Sequence, residues 1–286
     1  MIIGVLGALG VFALGFAGYF IKDLLANKDN LEKETNFSIA AGIGFITNFL
    51  DTLGIGSFAP MTALLRGFKQ IQDRVIPGTL NTSCAIPVVI EAFIFVTIIE
   101  VEIITLISMV VAAVVGTVIG AGFVAKLPEK KIQLVMGIAL LTTAFFMLSG
   151  RLGWIAGLGT GEAIGLTGGK LIIAVVVNCV LGAFQSAGIG MYAPSMALVY
   201  ILGMFPRVAF PIMMASAAFT LPPASVKFIK EGAYNRKISL AVSVTGIVGV
   251  LIAAYIVKSL PLAMLTWLVI VVIIYTAISL LLRAAK

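Results

Sequence analysis

Apolar residues gather in runs of about 18 or more along the whole chain, separated by short polar or charged stretches, and runs of that length can cross a bilayer. The pattern predicts a first span at 1–21, spans at about 75–98, 103–125 and 132–150, and spans at 208–226, 238–257 and 261–282. Two more apolar segments, 36–65 and 170–205, are longer and interrupted. As one helix, residues 36–66 would measure about 46 Å against a hydrocarbon core of about 30 Å.

Both interrupted segments carry the same motif. Residues 49–64 contain Gly54-Ile55-Gly56, then Phe58, Ala59 and Pro60; residues 183–198 contain Gly188-Ile189-Gly190, then Tyr192, Ala193 and Pro194. Glycine releases the backbone from helical geometry, and a proline a few residues later is tolerated only in the first turn of a new helix. Each copy therefore reads as a helix end, an unwound corner and a helix start. The repetition extends further: Arg74-Val75-Ile76-Pro77 resembles Arg207-Val208-Ala209-Phe210-Pro211, and Asn81-Thr82-Ser83 falls opposite Ala215-Ser216-Ala217. The chain divides into a first helix and loop (1–35), a first half (36–150), a glycine-rich connection (151–169) and a second half (170–286).

Composition agrees with the pattern: 61% of residues are hydrophobic, 11% are charged, and mean hydropathy is +1.17. These values describe an all-α polytopic membrane protein. The net charge of +7 sits between the apolar runs, as positive-inside topology requires, and predicts no nucleic-acid partner. Residues 1–21 have no basic residue in front and Lys22 behind, which predicts an uncleaved span with its amino end outside, not a signal peptide. If each motif segment crosses once, 11 Lys and Arg fall inside and 8 outside. If each is a hairpin that enters and leaves on one face, 15 fall inside and 4 outside, with the carboxyl end cytoplasmic. The second count follows the positive-inside rule and makes the two halves inverted repeats. A strongly tilted single crossing is the alternative.

Hairpins from opposite faces would bring both corners to the middle of the bilayer, where non-helical backbone is tolerated only if buried in protein or lining a cavity. The helix starts there present N–H groups, around Gly56, Ser57 and Phe58 and around Gly190, Met191 and Tyr192, and such ends bind anions. The competing reading of the glycines is close helix packing. Asn81, Thr82, Ser83 and Ser216 either donate to an anion or bond across helices. Asp51 precedes the first corner, with Gln185 as its counterpart, and Glu91 lies inside the 75–98 span; intramembrane carboxylates are candidate proton carriers.

Other chemistries find little support. The chain has no histidine, and its cysteines, Cys84 and Cys179, lie in separate apolar runs, so neither a metal site, a cofactor site nor a hydrolase site is expected. Residues 157–165 resemble a nucleotide-binding glycine fingerprint, but the spacing is wrong and no strand precedes it.

The duplicated Gly-Ile-Gly-x-aromatic-Ala-Pro corners, the basic loop followed by Arg74 and Pro77, and the two-half layout resemble the TauE/SafE family of sulfite and organosulfonate exporters over about residues 36–282. That resemblance implies transport of a small sulfur oxyanion across the cell membrane. Coupling to protons through Asp51 or Glu91 is the expectation from the acids. The corners read Gly-Ser-Phe and Gly-Met-Tyr where richer glycine runs also occur in the family, so the individual anion stays open. A passive anion channel and a cation carrier using Asp51 and Glu91 are the alternatives. Oligomeric state is not legible.

Overall fold

The computed structural model describes residues 2–123, 129–152, 161–186, 190–259 and 261–285. Among them all regular structure is helical, apart from one bridge between Ala163 and Met204. Helix α1 (Ile2–Ala26) precedes α2 (Phe37–Thr52), α3 (Phe58–Gly67), α4 (Ile76–Ile98), α5 (Ile103–Phe123) and α6 (Glu129–Arg151). The same order then recurs as α7 (Gly168–Ser186), α8 (Tyr192–Ile201), α9 (Ala209–Lys230), α10 (Arg236–Ser259) and α11 (Leu262–Ala284). Five described stretches are long and apolar enough to cross a membrane: Ile2–Ala26, Ile76–Ile98, Gly168–Gln185, Pro206–Lys230 and Arg236–Val257. Large apolar side chains such as Ile3, Leu14, Val118 and Tyr255 are exposed on the outside, the surface that lipid solvates.

Polar contacts tie the two ends of each motif segment together. Thr35 Oγ1 donates to Gln70 O (3.1 Å) and Asn36 N donates to Gln70 Oε1 (2.6 Å), so α2 begins where α3 ends. Lys170 Nζ donates to Leu202 O (3.0 Å), so α7 likewise begins where α8 ends. At 10 residues each, α3 and α8 are about 15 Å long, half the thickness of a hydrocarbon core.

The two hairpins open toward opposite ends of the molecule. Asn235, which precedes α10, bonds to Thr35 (2.9 Å) and to Thr79 of α4 (2.9 Å), at the first hairpin's mouth. Glu32 accepts from Arg236 N and Lys237 N (2.9 and 3.0 Å), and Asp23 pairs with Arg236 (2.7 Å) and Tyr234 (2.5 Å). Burial and the Asp23 carboxylate hold the Tyr234 hydroxyl well above its ordinary range, so it stays a donor. At the far end Glu102 N donates to Ile164 O (2.8 Å), Leu166 N to Thr105 Oγ1 (2.8 Å) and Phe205 N to Ala163 O (2.9 Å). Helices α4 and α9 run antiparallel between these ends, with Gly78 against Phe228 and Phe95 stacked on Phe210 (5.3 Å).

Packing exchanges partners between the halves. Helix α2 packs along α10, and α7 packs along α5. Glycines make both approaches possible: a Cβ at Gly249 would collide with Phe45 O, and one at Gly116 with Cys179 O, the equivalent pair. Close approach through small residues is how helices associate where lipid removes the usual hydrophobic drive. Pro87 inside α4 has no N–H for Ser83 O, and that carbonyl instead accepts Ser243 Oγ of α10 (3.0 Å). The α6 and α11 pair packs on itself and, more lightly, on α8.

Candidate functional site

The first corner is built by two glycines with positive φ. Helix α2 closes as a Schellman turn, with Ile55 N bonded to Leu50 O (3.1 Å), Gly54 N bonded to Asp51 O (2.7 Å) and Gly54 at φ 92°. A side chain at Gly54 would run into Met196 of α8, so this glycine also sets how closely the second corner approaches. Gly56, at φ 85°, turns the chain again into α3. In the second corner Gly188 lies outside the described residues, and Gly190 and Met191 lead into α8. Pro60 and Pro194 are the third residues of α3 and α8, where a missing N–H costs nothing.

A Cβ at Gly56 or Gly190 would meet nothing within 4 Å, because both glycines face open space. One cavity there is lined by Asp51, Ser57, Phe58, Gln185, Met191 and Tyr192 along with both glycines. The corners therefore share a cavity. The cap residues Ser57 and Met191 make no side-chain cap bond, and in the first turn only the i−4 geometry supplies carbonyl partners. The N–H groups of Phe58 and Ala59, and of Tyr192 and Ala193, are thus left without an intrahelical carbonyl beside the cavity.

Ser57 departs from the sequence expectation. Its N–H is not left for a ligand, because Asp51 Oδ1 accepts it at 2.5 Å. The other Asp51 oxygen, Oδ2, is buried and has no hydrogen-bond partner. Asp51 is 3% exposed and Glu91 0%. Glu91 Oε1 accepts from Thr52 Oγ1 (2.7 Å) and Oε2 from Tyr192 Oη (3.1 Å), so the second corner reaches an acid of the first half. Ser57 Oγ lies 3.4 Å from Cys84 Sγ. The network is one-sided: Phe58 has no hydroxyl where Tyr192 has one, and Gln185, the counterpart of Asp51, accepts from Thr220 Oγ1 (3.0 Å).

The polar residues read either as donors to an anion or as bonds between helices make the following contacts. Asn81 Nδ2 donates to Pro77 O (2.8 Å) and Ser83 Oγ to Leu80 O (3.2 Å), while Ser216 Oγ accepts from Asn178 Nδ2 (3.1 Å). Thr82 Oγ1 is buried without a partner. None of the four lines the cavities at the corners. Cys84, Val88 and Glu91, spaced by four and three, form the stripe of α4 that turns to the corners; Asn81, three residues before Cys84, continues that stripe short of the cavities, and Thr82 and Ser83 lie beside it.

The other wall carries no local signal in the sequence. A second cavity runs from Gly56 and Gly190 along Gln133 of α6 and Tyr275, Thr276, Ser279 and Arg283 of α11. Helix α6 begins and α11 ends at the Asn235 end, and Gln133 and Arg283 lie near those two termini. Nothing local in the sequence singles out Arg283, which reads there as one more flanking charge. Among the described residues no cluster of His, Cys, Asp or Glu could hold a metal.

No curated protein and no solved structure matches the chain. A family model does, over residues 4–147, half of the 286-residue chain, and its description is Sulfite exporter TauE/SafE. With membrane-length helices and two glycine corners around a shared cavity already in place, that match completes the assignment: the chain belongs to the sulfite exporter TauE/SafE family of membrane transporters.

Proposed function

We propose that this protein carries a small sulfur oxyanion, sulfite or a sulfonate, out across the cell membrane, holding it between the starts of α3 and α8. The observation that carries this reading is the pair of helix starts, whose own cap residues Ser57 and Met191 make no side-chain cap bond, facing one cavity where both flanking glycines leave open space. Backbone N–H groups and positive helix ends bind an oxyanion without a buried Lys or Arg. A cation carrier is disfavoured by the same atoms: Asp51 accepts from an N–H and Glu91 from two hydroxyls, the reverse of a cage of oxygens facing a cation.

In this reading the halves 36–150 and 170–286 are inverted copies, the Asn235 end is cytoplasmic, and the amino end is outside. Hairpins that open to opposite ends support it, as does the 15-to-4 distribution of basic residues. Export is coupled to protons through the Asp51–Glu91 region. The test is binding and uptake in proteoliposomes across sulfite, thiosulfate, alkanesulfonates and sulfate. Saturable transport of at least one sulfur oxyanion against its gradient supports the reading; purely downhill flux would leave a channel, and no interaction with any of them would refute it.

A further inference from the structure

Asp51 occupies the place where the first corner would otherwise offer Ser57 N–H to a ligand. Resting on the site proposed above, we infer that the Asp51 carboxylate is a built-in competitor for the transported anion. Ionised, it holds the Ser57 N–H; protonated, it yields that donor to the substrate, so that one proton and one anion bind together.

Three observations converge. The Asp51 side chain lines the cavity shared by the corners. One of its oxygens is bonded to the helix-start N–H, and the other, buried and without a partner, is open to a proton. The groups that face Asp51 offer no countercharge: Ser57 from α3, Cys84 and Glu91 from α4, and Tyr192 from α8 are neutral or acidic, and Gln185 of α7 lines the same cavity. An anion arriving at an ionised Asp51 would meet a unit charge about 4 Å away, and at an effective dielectric of about 20 that weakens binding on the order of a thousandfold. Protonation removes the repulsion and frees the donor in one step.

Glu91 has a different part. Both its oxygens already accept hydroxyl hydrogens, from Thr52 and Tyr192, and neither accepts a helix-start N–H. It faces Asp51 from α4 but does not compete for the anion's donor. Coupling of this kind moves proton and anion in the same direction, and a monovalent oxyanion crosses with no net charge. Outward flux then draws on the substrate gradient or on a more acidic interior.

The experiment is equilibrium binding of methanesulfonate, whose own charge is constant through the neutral range, to the purified full-length protein at a series of pH values. Linkage of one proton predicts that affinity falls about tenfold per pH unit on the alkaline side. Asp51→Asn should bind with an affinity that is flat within about threefold, and Glu91→Gln should keep the parent's slope. Calorimetry of the parent in two buffers of different ionisation heat should show close to one proton taken up per anion at alkaline pH, which tests the inference even if a variant does not fold. A flat profile in the parent, zero uptake, a sloping Asp51→Asn or a flat Glu91→Gln would each overturn it. If the parent binds methanesulfonate independently of pH and Gly190→Val does not bind it, the site stands and the competitor falls. If neither methanesulfonate, sulfite nor thiosulfate binds the parent at any pH, the site itself is wrong and the inference goes with it.

Discussion

Tyr192 of the second corner donates its hydroxyl to Glu91 of α4 at 3.1 Å, joining residues 101 positions apart across the two halves. Both groups are buried, and Thr52 bonds the other Glu91 oxygen. The bond fixes the second corner on the first.

Removing that hydroxyl tests its structural share. Tyr192→Phe should cost about 1–3 kcal/mol, since it leaves a buried carboxyl oxygen without its donor. The backbone N–H at α8 is untouched, so anion affinity should stay within about threefold of the parent. A detergent melting curve and a binding isotherm on the same sample check both halves of this expectation.

The exchanged packing makes a paired prediction. Gly116→Ala and Gly249→Ala place a Cβ against Cys179 O and Phe45 O, backbone atoms that cannot step aside, and each should destabilise by about 1–3 kcal/mol. Gly42→Ala, with nothing within 4 Å, should be neutral or slightly stabilising because alanine is the better helix former. Similar losses at 116 and 249 in thermal melts would match the equivalence of the α5–α7 and α2–α10 contacts.

Much of this architecture was legible because its signals are local. Gly54, Gly56 and Pro60 mark the corner by backbone rules alone, and the apolar runs bring out the helices, though α6 begins at Glu129, ahead of the apolar run that starts at 132. What could not be read depends on contacts between distant segments. Asp51 reads in the sequence as an intramembrane acid ahead of the corner, and only the turn at Gly54 and Gly56 brings it onto Ser57 N–H six residues on. Whether Asn81, Thr82 and Ser83 meet a ligand or a neighbouring helix depends on how α4 is rotated and placed against the corners, which the composition of the run does not carry. Arg283 became visible only when α11 was placed beside the corners.

Topology is checked by single cysteines in a background lacking Cys84 and Cys179. Phe68, Lys130 and Glu231 are exposed, and cysteines there should react only from the cytoplasmic side. Glu162, exposed at the far end, should react only from outside. Labelling of Lys130 and Glu162 positions from one face would contradict the inverted arrangement.

Arg283 lies on the wall of the cavity that reaches the corners, near the end proposed to be cytoplasmic. Arg283→Gln should raise the KM for the anion from that side by about threefold to tenfold, with the effect shrinking at high salt because an exposed charge is screened within about 10 Å at 0.1 M. Transport assayed at two ionic strengths decides this, with the melting temperature unchanged.

The central claim is that an oxyanion sits between the starts of α3 and α8, and Gly190 is the cleanest place to test it. At Gly56 the positive φ would add about 1–2 kcal/mol of backbone strain to any L side chain, confusing folding with binding. Gly190 has no such φ and faces open space. Binding of sulfite or methanesulfonate to purified Gly190→Val should fall by at least about a hundredfold, as a β-branched side chain fills the approach to the N–H groups, while the melting temperature stays within a few degrees of the parent. A folded Gly190→Val that binds the anion as tightly as the parent would contradict the claim and put the anion site elsewhere.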